Sequence, residues 1–356
     1  MRTRFAGSAL ALLPLFAAPV LAQDTDTITV ESPLLHPAAG LMNEHMHEGG
    51  EAMIGLRFER TRFDGANQSG TDPIADPAIV AAGYSTRTLT MEMDMVMLDL
   101  MYAPTHKLTL MVMPHYMWHR MEMLGIDPDA GAGGEHGGDH GGHGLPFGEA
   151  HAHSSEGFGD TLVSASYRLA RQPGFAAHAT LGVWLPTGSV DKKNADGSFV
   201  HYGMQPGGGT WDIEPSVTVT GRAAGFGWGA QASFRWKTEA HNASGFAFGD
   251  KARATGWVSM LLGSDVGATA RLEYVHEGQI EGHYDGAHSH AAPPDRQENY
   301  GGDTVTAGLG LNWLLPVASA KRPQLGAELA VPLYQDLNGI QAPRDWRFSL
   351  SLSQTF

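Results

Sequence analysis

The stretch Arg87-Thr-Leu-Thr-Met-Glu-Met-Asp-Met-Val-Met-Leu-Asp-Leu-Met-Tyr102, then Ala103-Pro-Thr-His106, then Lys107-Leu-Thr-Leu-Met-Val-Met-Pro-His-Tyr-Met-Trp-His-Arg-Met-Glu-Met123, decides the fold. It holds ten of the sixteen methionines. They recur every second residue, the side-chain period of a strand and not of a helix. The pattern predicts a β-hairpin with one chemically unusual face.

In the second arm Leu108, Leu110, Val112, Tyr116 and Trp118 form an apolar series ending in aromatics, as for a strand that meets lipid and finishes in an interfacial girdle. The other face reads Lys107, Thr109, Met111, Met113, His115, Met117, His119, Met121, Met123. In the first arm Val96, Leu98, Leu100 and Tyr102 are the apolar series, with Met91, Met93, Met95, Met97, Asp99 and Met101 opposite. A turn at 103–106 pairing Met101 with Thr109 would set Met97, Met95, Met93 and Met91 near Met113, His115, Met117 and His119. Glu92 and Asp94 share the apolar parity, which requires them to sit above a membrane.

Arg2 and Arg4 precede an apolar run from Phe5 to Leu21, and Val20-Leu21-Ala22 offers a small-residue cleavage site. Residues 1–22 read as a secretory signal peptide. No later segment approaches the ~18 consecutive apolar residues of a spanning helix. With no cysteine, thiolate sites and disulfides are excluded, leaving methionine, histidine and carboxylates as ligands. A net charge of −15 argues against nucleic acid. Forty-six glycines with 17% charged residues suit a sheet with many turns and one apolar face.

From Glu51 onward, twelve alternating segments of roughly ten residues recur. Besides the hairpin they are 52–63, 160–169, 175–185, 210–220, 226–237, 251–262, 266–277, 304–315, 324–333 and 344–356. Short turns at 103–106, 170–174, 221–225, 263–265 and 316–323 alternate with longer connections at 64–86, 124–159, 186–209, 238–250, 278–303 and 334–343. That alternation predicts an all-β, twelve-stranded antiparallel outer-membrane barrel over residues 51–356, with short periplasmic turns and long outer loops. The ending Trp346-Arg-Phe-Ser-Leu-Ser-Leu-Ser-Gln-Thr-Phe356 resembles the signal that hands such barrels to their assembly machinery. A soluble sandwich also alternates, but has no reason to expose aromatics at strand ends.

Three clusters carry the chemistry. Thioethers suit Cu(I), and imidazole takes Cu(I) or Cu(II), so the ladder Met91, Met93, Met95, Met97, Met101, Met111, Met113, His115, Met117, His119, Met121 and Met123 reads as a metal relay, with Asp99 supplying charge. The bland alternative is pliable apolar filling. It is weakened by the two imidazoles on that face and by the separate lipid-facing series. The loop 125–159 carries His136, His140, His143, His151 and His153 among glycines, as in loose metal-binding tracts or a solvated loop. Met42, His45, Met46 and His47 lie in a segment, 23–50, that stays periplasmic or plugs the lumen.

Tyr102-Ala-Pro-Thr105, Met111-Val-Met-Pro114, Gly157-Phe-Gly-Asp160, Trp184-Leu-Pro-Thr-Gly-Ser189 and Met204-Gln-Pro-Gly-Gly-Gly-Thr-Trp-Asp212 come in an order that resembles the outer-membrane transporter family named for the meta-cleavage pathway of phenol degradation. The resemblance implies a porin-like barrel, in some members tied to aromatic uptake. Lining the second and third strands with Met and His departs from a hydrophobic-substrate channel. A looser likeness to outer-membrane copper-resistance proteins is compositional.

The expected function is therefore binding or passage of copper or a similar soft cation through a Met/His-lined lumen. The alternative is a channel for small hydrophobic or aromatic cargo. A lipid-modifying enzyme finds little support, since no His lies mid-strand on the apolar face and no Gly-x-Ser-x-Gly elbow has triad context. A passive metal-sequestering surface protein is a further alternative. Expected partners are outer-membrane lipid, the cargo, and the assembly machinery through Phe356.

Overall fold

The computed structural model describes residues 39–129, 144–223, 225–317 and 321–356. Among them twelve antiparallel strands form the wall: β1 Ala52–Asp64; β2 Thr86–Thr105; β3 Leu108–Met113 and His115–Gly125, interrupted at Pro114; β4 Ala150–Phe158 and Thr161–Gln172; β5 Phe175–Leu185; β6 Asp212–Ala223; β7 Phe226–Lys237; β8 Lys251–Leu261; β9 Val266–Glu277; β10 Gly302–Leu314; β11 Gln324–Gln341; β12 Arg344–Thr355. Each pairs with its sequence neighbours, and β12 pairs with β1 from Met53↔Thr355 to Phe63↔Arg344, so the sheet closes without an edge.

Alternation sets the two faces. Along β2, Leu98, Leu100 and Tyr102 are exposed outward while Met97, Asp99 and Met101 are buried. Leu309, Leu311 and Trp313 on β10, Leu329 and Val331 on β11, and Trp228 and Trp236 on β7 continue the outward apolar surface around the wall. So extensive an exposed apolar band needs hydrocarbon against it, not water. Near the outer end the outward parity turns charged: Arg60 meets Asp94 at 2.6 Å and Arg62 meets Glu92 at 3.2 Å. Glu92 and Asp94 thus mark the rim, above the lipid-facing leucines.

Three local expectations need correction. The β2–β3 turn is His106-Lys107, not 103–106, because β2 continues through a bulge to Thr105↔Leu108. The register therefore shifts by two: Met101 opposes Met111, and Met97, Met95, Met93 and Met91 oppose His115, Met117, His119 and Met121. A two-residue slip preserves parity, so every methionine keeps its face.

Second, the segment 334–343 is not a long loop. β11 runs on to Gln341, where Gln68–Gly70 from the first outer connection pairs with it, and Gln335 and Arg344 exchange hydrogen bonds of 2.9 and 3.0 Å. Its polar residues find backbone partners in neighbouring chain instead of water. Third, residues 150–158 within the expected loop 125–159 form the outer arm of β4, paired with β3 from Tyr116↔Phe158 to Leu124↔Ala150.

Candidate functional site: the lumen

Residues 39–50 thread into the periplasmic half of the lumen. The Arg57 guanidinium donates to the Leu41 carbonyl at 2.5 Å, Gln231 donates to the Met42 carbonyl at 3.0 Å, and His178 Nε2 donates to the Asn43 carbonyl at 2.9 Å. The Ser164 hydroxyl donates to Asn43 Oδ1 at 2.8 Å, and Glu48 takes Arg168 and Arg171. Barrel strands on several sides thus hold this segment by its backbone carbonyls and by the side chains of Asn43 and Glu48.

Within the segment His45 Nδ1 lies 2.8 Å from a Glu44 oxygen. Burial alone would raise the Glu44 carboxyl, but His45 and then Arg57 carry it down to about 2. Burial would lower His45, yet Glu44 outweighs it and the imidazole titrates above its ordinary value. His47, 4.9 Å away ring to ring, is pulled down to about 4 by burial and then by the charge of His45.

Above this floor lies a cavity of about 520 Å³, within the size range of small-molecule sites. Gly40 and Met42 form its base. One wall is soft: Met91, Met93, Met95, Met97, Met113, His115, Met117, His119 and Met121 all face it. The far wall, from β7 through β12, is ionic, with several of its charges paired. Arg271 bridges Glu273 at 2.8 Å and Glu328, Arg347 reaches Glu273 at 2.9 Å, and Lys251 meets Glu277 at 3.0 Å. Tyr300, Pro293 and Pro294, from the connection between β9 and β10, border the outer side.

The soft wall separates into two packed clusters. Met53, Met97, Met101, Met111 and Met113 gather with Leu162 and Trp184, and Met42 of the threaded segment joins them. Farther out, Met91, Met121 and Met123 pack with Met204, which the connection between β5 and β6 brings inward, and Met93 lies against them. Asp99, expected to lend charge to the ladder, is itself paired with Arg57 at 3.4 Å.

The other sequence candidates divide. His45, Met46 and His47 stay in the segment below. His153, on β4, stands directly across from Met121, and His151 across from Met123, so the outer arm of β4 brings both to the head of the ladder. His136, His140 and His143 lie outside the described residues. Among the described residues no three histidines or carboxylates converge as a metal-binding group.

Sequence reading missed a constriction built by the motifs that carried the resemblance. The buried Asp160 carboxylate accepts the backbone N–H of Gly188 at 3.0 Å, Gly208 at 2.8 Å and Gly209 at 3.2 Å. That pins the β5–β6 connection into the lumen. A Cβ on Gly188 would fall 2.6 Å from the Gly207 Cα, so both positions need glycine for the backbones to touch. Beside this knot Trp184 donates to Glu214 at 2.7 Å, carries the Arg235 guanidinium 4.0 Å above its ring, and meets His115 edge-on at 6.3 Å. Arg235 and Lys237 both bind Asp212, at 2.6 and 2.7 Å. The signal was the clustering of Gly, Asp and Trp in those motifs; only the fold brings them to one place.

The family model described as "Putative MetA-pathway of phenol degradation" matches residues 125–342. No protein of curated function matches the sequence. An outer membrane channel from Pseudomonas putida F1 superposes with a TM-score of 0.55 at 14% identity, over 88% of this chain and 98% of that one. A FadL homologue from Pseudomonas aeruginosa is more distant, with a TM-score of 0.39 at 10% identity over 86% of this chain and 90% of its own. The closed twelve-stranded barrel is the fold of bacterial outer-membrane channels.

Proposed function

Because the chain belongs to the family of the MetA-pathway of phenol degradation, we propose that its barrel is an outer-membrane passage for small apolar and aromatic molecules. The observation that carries this reading is the cavity of about 520 Å³ with thioethers, Trp184 and Tyr300 on its surface. Unbranched, polarizable methionine side chains make an adaptable apolar surface with favourable contacts to aromatic rings. Met95 and Met117, opposite each other across β2 and β3, stand mid-wall. The charged wall opposite keeps that side of the lumen wetted, and its cavity-lining groups are mostly cationic, with Arg235, Lys237, Lys251, Arg253, Arg344 and Arg347 against Glu273 and Glu277. Small cargo with one polar end could slide along the thioethers and turn that end toward the ionic wall.

The test replaces Met95 and Met117 together by glutamate and follows entry of an aromatic tracer into proteoliposomes. A several-fold slower entry, with entry of a small sugar unchanged, supports the reading; equal aromatic entry sinks it.

A further inference from the structure

The head of the methionine ladder holds an imidazole whose hydrogen bonding does not close. Ser155 on β4 has a single hydroxyl proton and gives it to the Met204 carbonyl at 2.5 Å. The same oxygen lies 3.3 Å from His119 Nδ1. Since the hydroxyl proton is already committed, Nδ1 must be the protonated nitrogen and Ser155 Oγ its acceptor. His119 Nε2 then carries a lone pair. It is buried and has no hydrogen-bond partner among the described residues.

Thioethers surround it and cannot donate a proton. Met93 stands directly across on β2, and Met121 is two residues along on the same face. Across from Met121, on β4, His153 has its own Nε2 buried without a partner among the described residues. A wall built only for apolar packing would not bury two imidazole nitrogens at the full cost of their desolvation. A cation bound at the His119 nitrogen would satisfy it.

The geometry points to a site for a univalent soft cation, Cu(I) or Ag(I), centred on His119 Nε2 with Met93 and Met121 as thioether ligands and His153 beside them. Neutral sulfur and nitrogen donors suit a soft ion of single charge. The lack of any triple histidine–carboxylate group among the described residues leaves a harder dication without comparable ligands. The Ser155–Met204 link holds the imidazole in the ligating tautomer, as an outer hydrogen bond does for metal-bound histidine. Three strands, β2, β3 and β4, and the inward-folded β5–β6 connection meet here. The proposal goes beyond aromatic passage and does not depend on it.

Ag(I), a redox-stable probe, is titrated into the full chain in detergent micelles, with retained metal counted after desalting and its ligands read by X-ray absorption. Wild-type protein is expected to hold Ag(I) in mixed sulfur and nitrogen coordination, undisturbed by excess Zn(II). Ser155→Ala should weaken retention about tenfold. Met93→Leu with Met121→Leu should remove the sulfur signal of this ion. Met260→Leu, on the lipid-facing side of β8, should change nothing. Heat-modifiable gel mobility checks that each variant is folded, and Ser155→Ala carries the test if the double variant is not. Wild-type affinity in both Ser155→Ala and the double variant overturns the proposal, as does an absence of retained Ag(I) in the wild type. Aromatic entry measured on the same variants separates failure of this site from failure of the passage.

Discussion

Single side chains decide how the lumen is divided. Asp160 is buried and accepts three backbone N–H groups from the β5–β6 connection. Asp160→Ala would leave those donors without a partner, a cost of about 3 kcal/mol at the usual price of a buried orphan. The expected outcome is a loosened connection and loss of the Trp184–Arg235 stack, visible as faster hydrogen exchange over 186–211 while the strands keep their protection. Gly159 plays a steric part beside it, since a Cβ there would lie 1.9 Å from His115 Nε2. The break between the two arms of β4 is therefore where the His115 ring finds room. Neither fact was readable from the residues one at a time, because each concerns an approach between elements distant in sequence.

At the scale of elements, the threaded segment is held by side chains whose protonation is linked to its docking. His47 titrates near 4 when docked, well below an ordinary histidine. Its depressed value means the docked state resists protonation, so docking loses stability as pH falls from about 6.5 toward 4. Glu44, near 2 when docked, adds a second loss between about 4.5 and 2. His45 acts with the opposite sign: its raised value gives stability that is complete below about 6.5 and declines as pH rises past its docked value. Acidification from pH 6.5 to 4.5 is therefore expected to raise proteolytic cleavage within residues 39–50. His47→Gln should flatten that response, and an unchanged acid sensitivity in this variant would place the linkage elsewhere. Parity along β2 and β3 was legible because side chains alternate along a strand wherever no bulge intervenes, as from Met91 to Tyr102. Register was not, since a bulge at Thr105 costs little and moves the pairing by two residues.

For the whole molecule, the lumen is an asymmetric tube, soft on β2 and β3 and ionic from β7 to β12, with residues 39–50 threaded into its lower half. A chain lacking residues 23–50 should therefore show several-fold higher single-channel conductance in planar bilayers, and equal conductance would mean that the segment does not occlude the pore. Strand count, outward and inward faces, the charged rim at Glu92 and Asp94, and the sulfur-bearing wall were all present in the linear pattern. They follow from period-two alternation and from segment lengths, which are local properties. The meeting of Asp160 with the glycines of the β5–β6 connection, the ion network around Arg271, and the docking of the Met204 carbonyl on Ser155 beside His119 arose only in the tertiary structure. The fold joins residues far apart in the chain, and no local periodicity encodes which of them will meet inside the lumen.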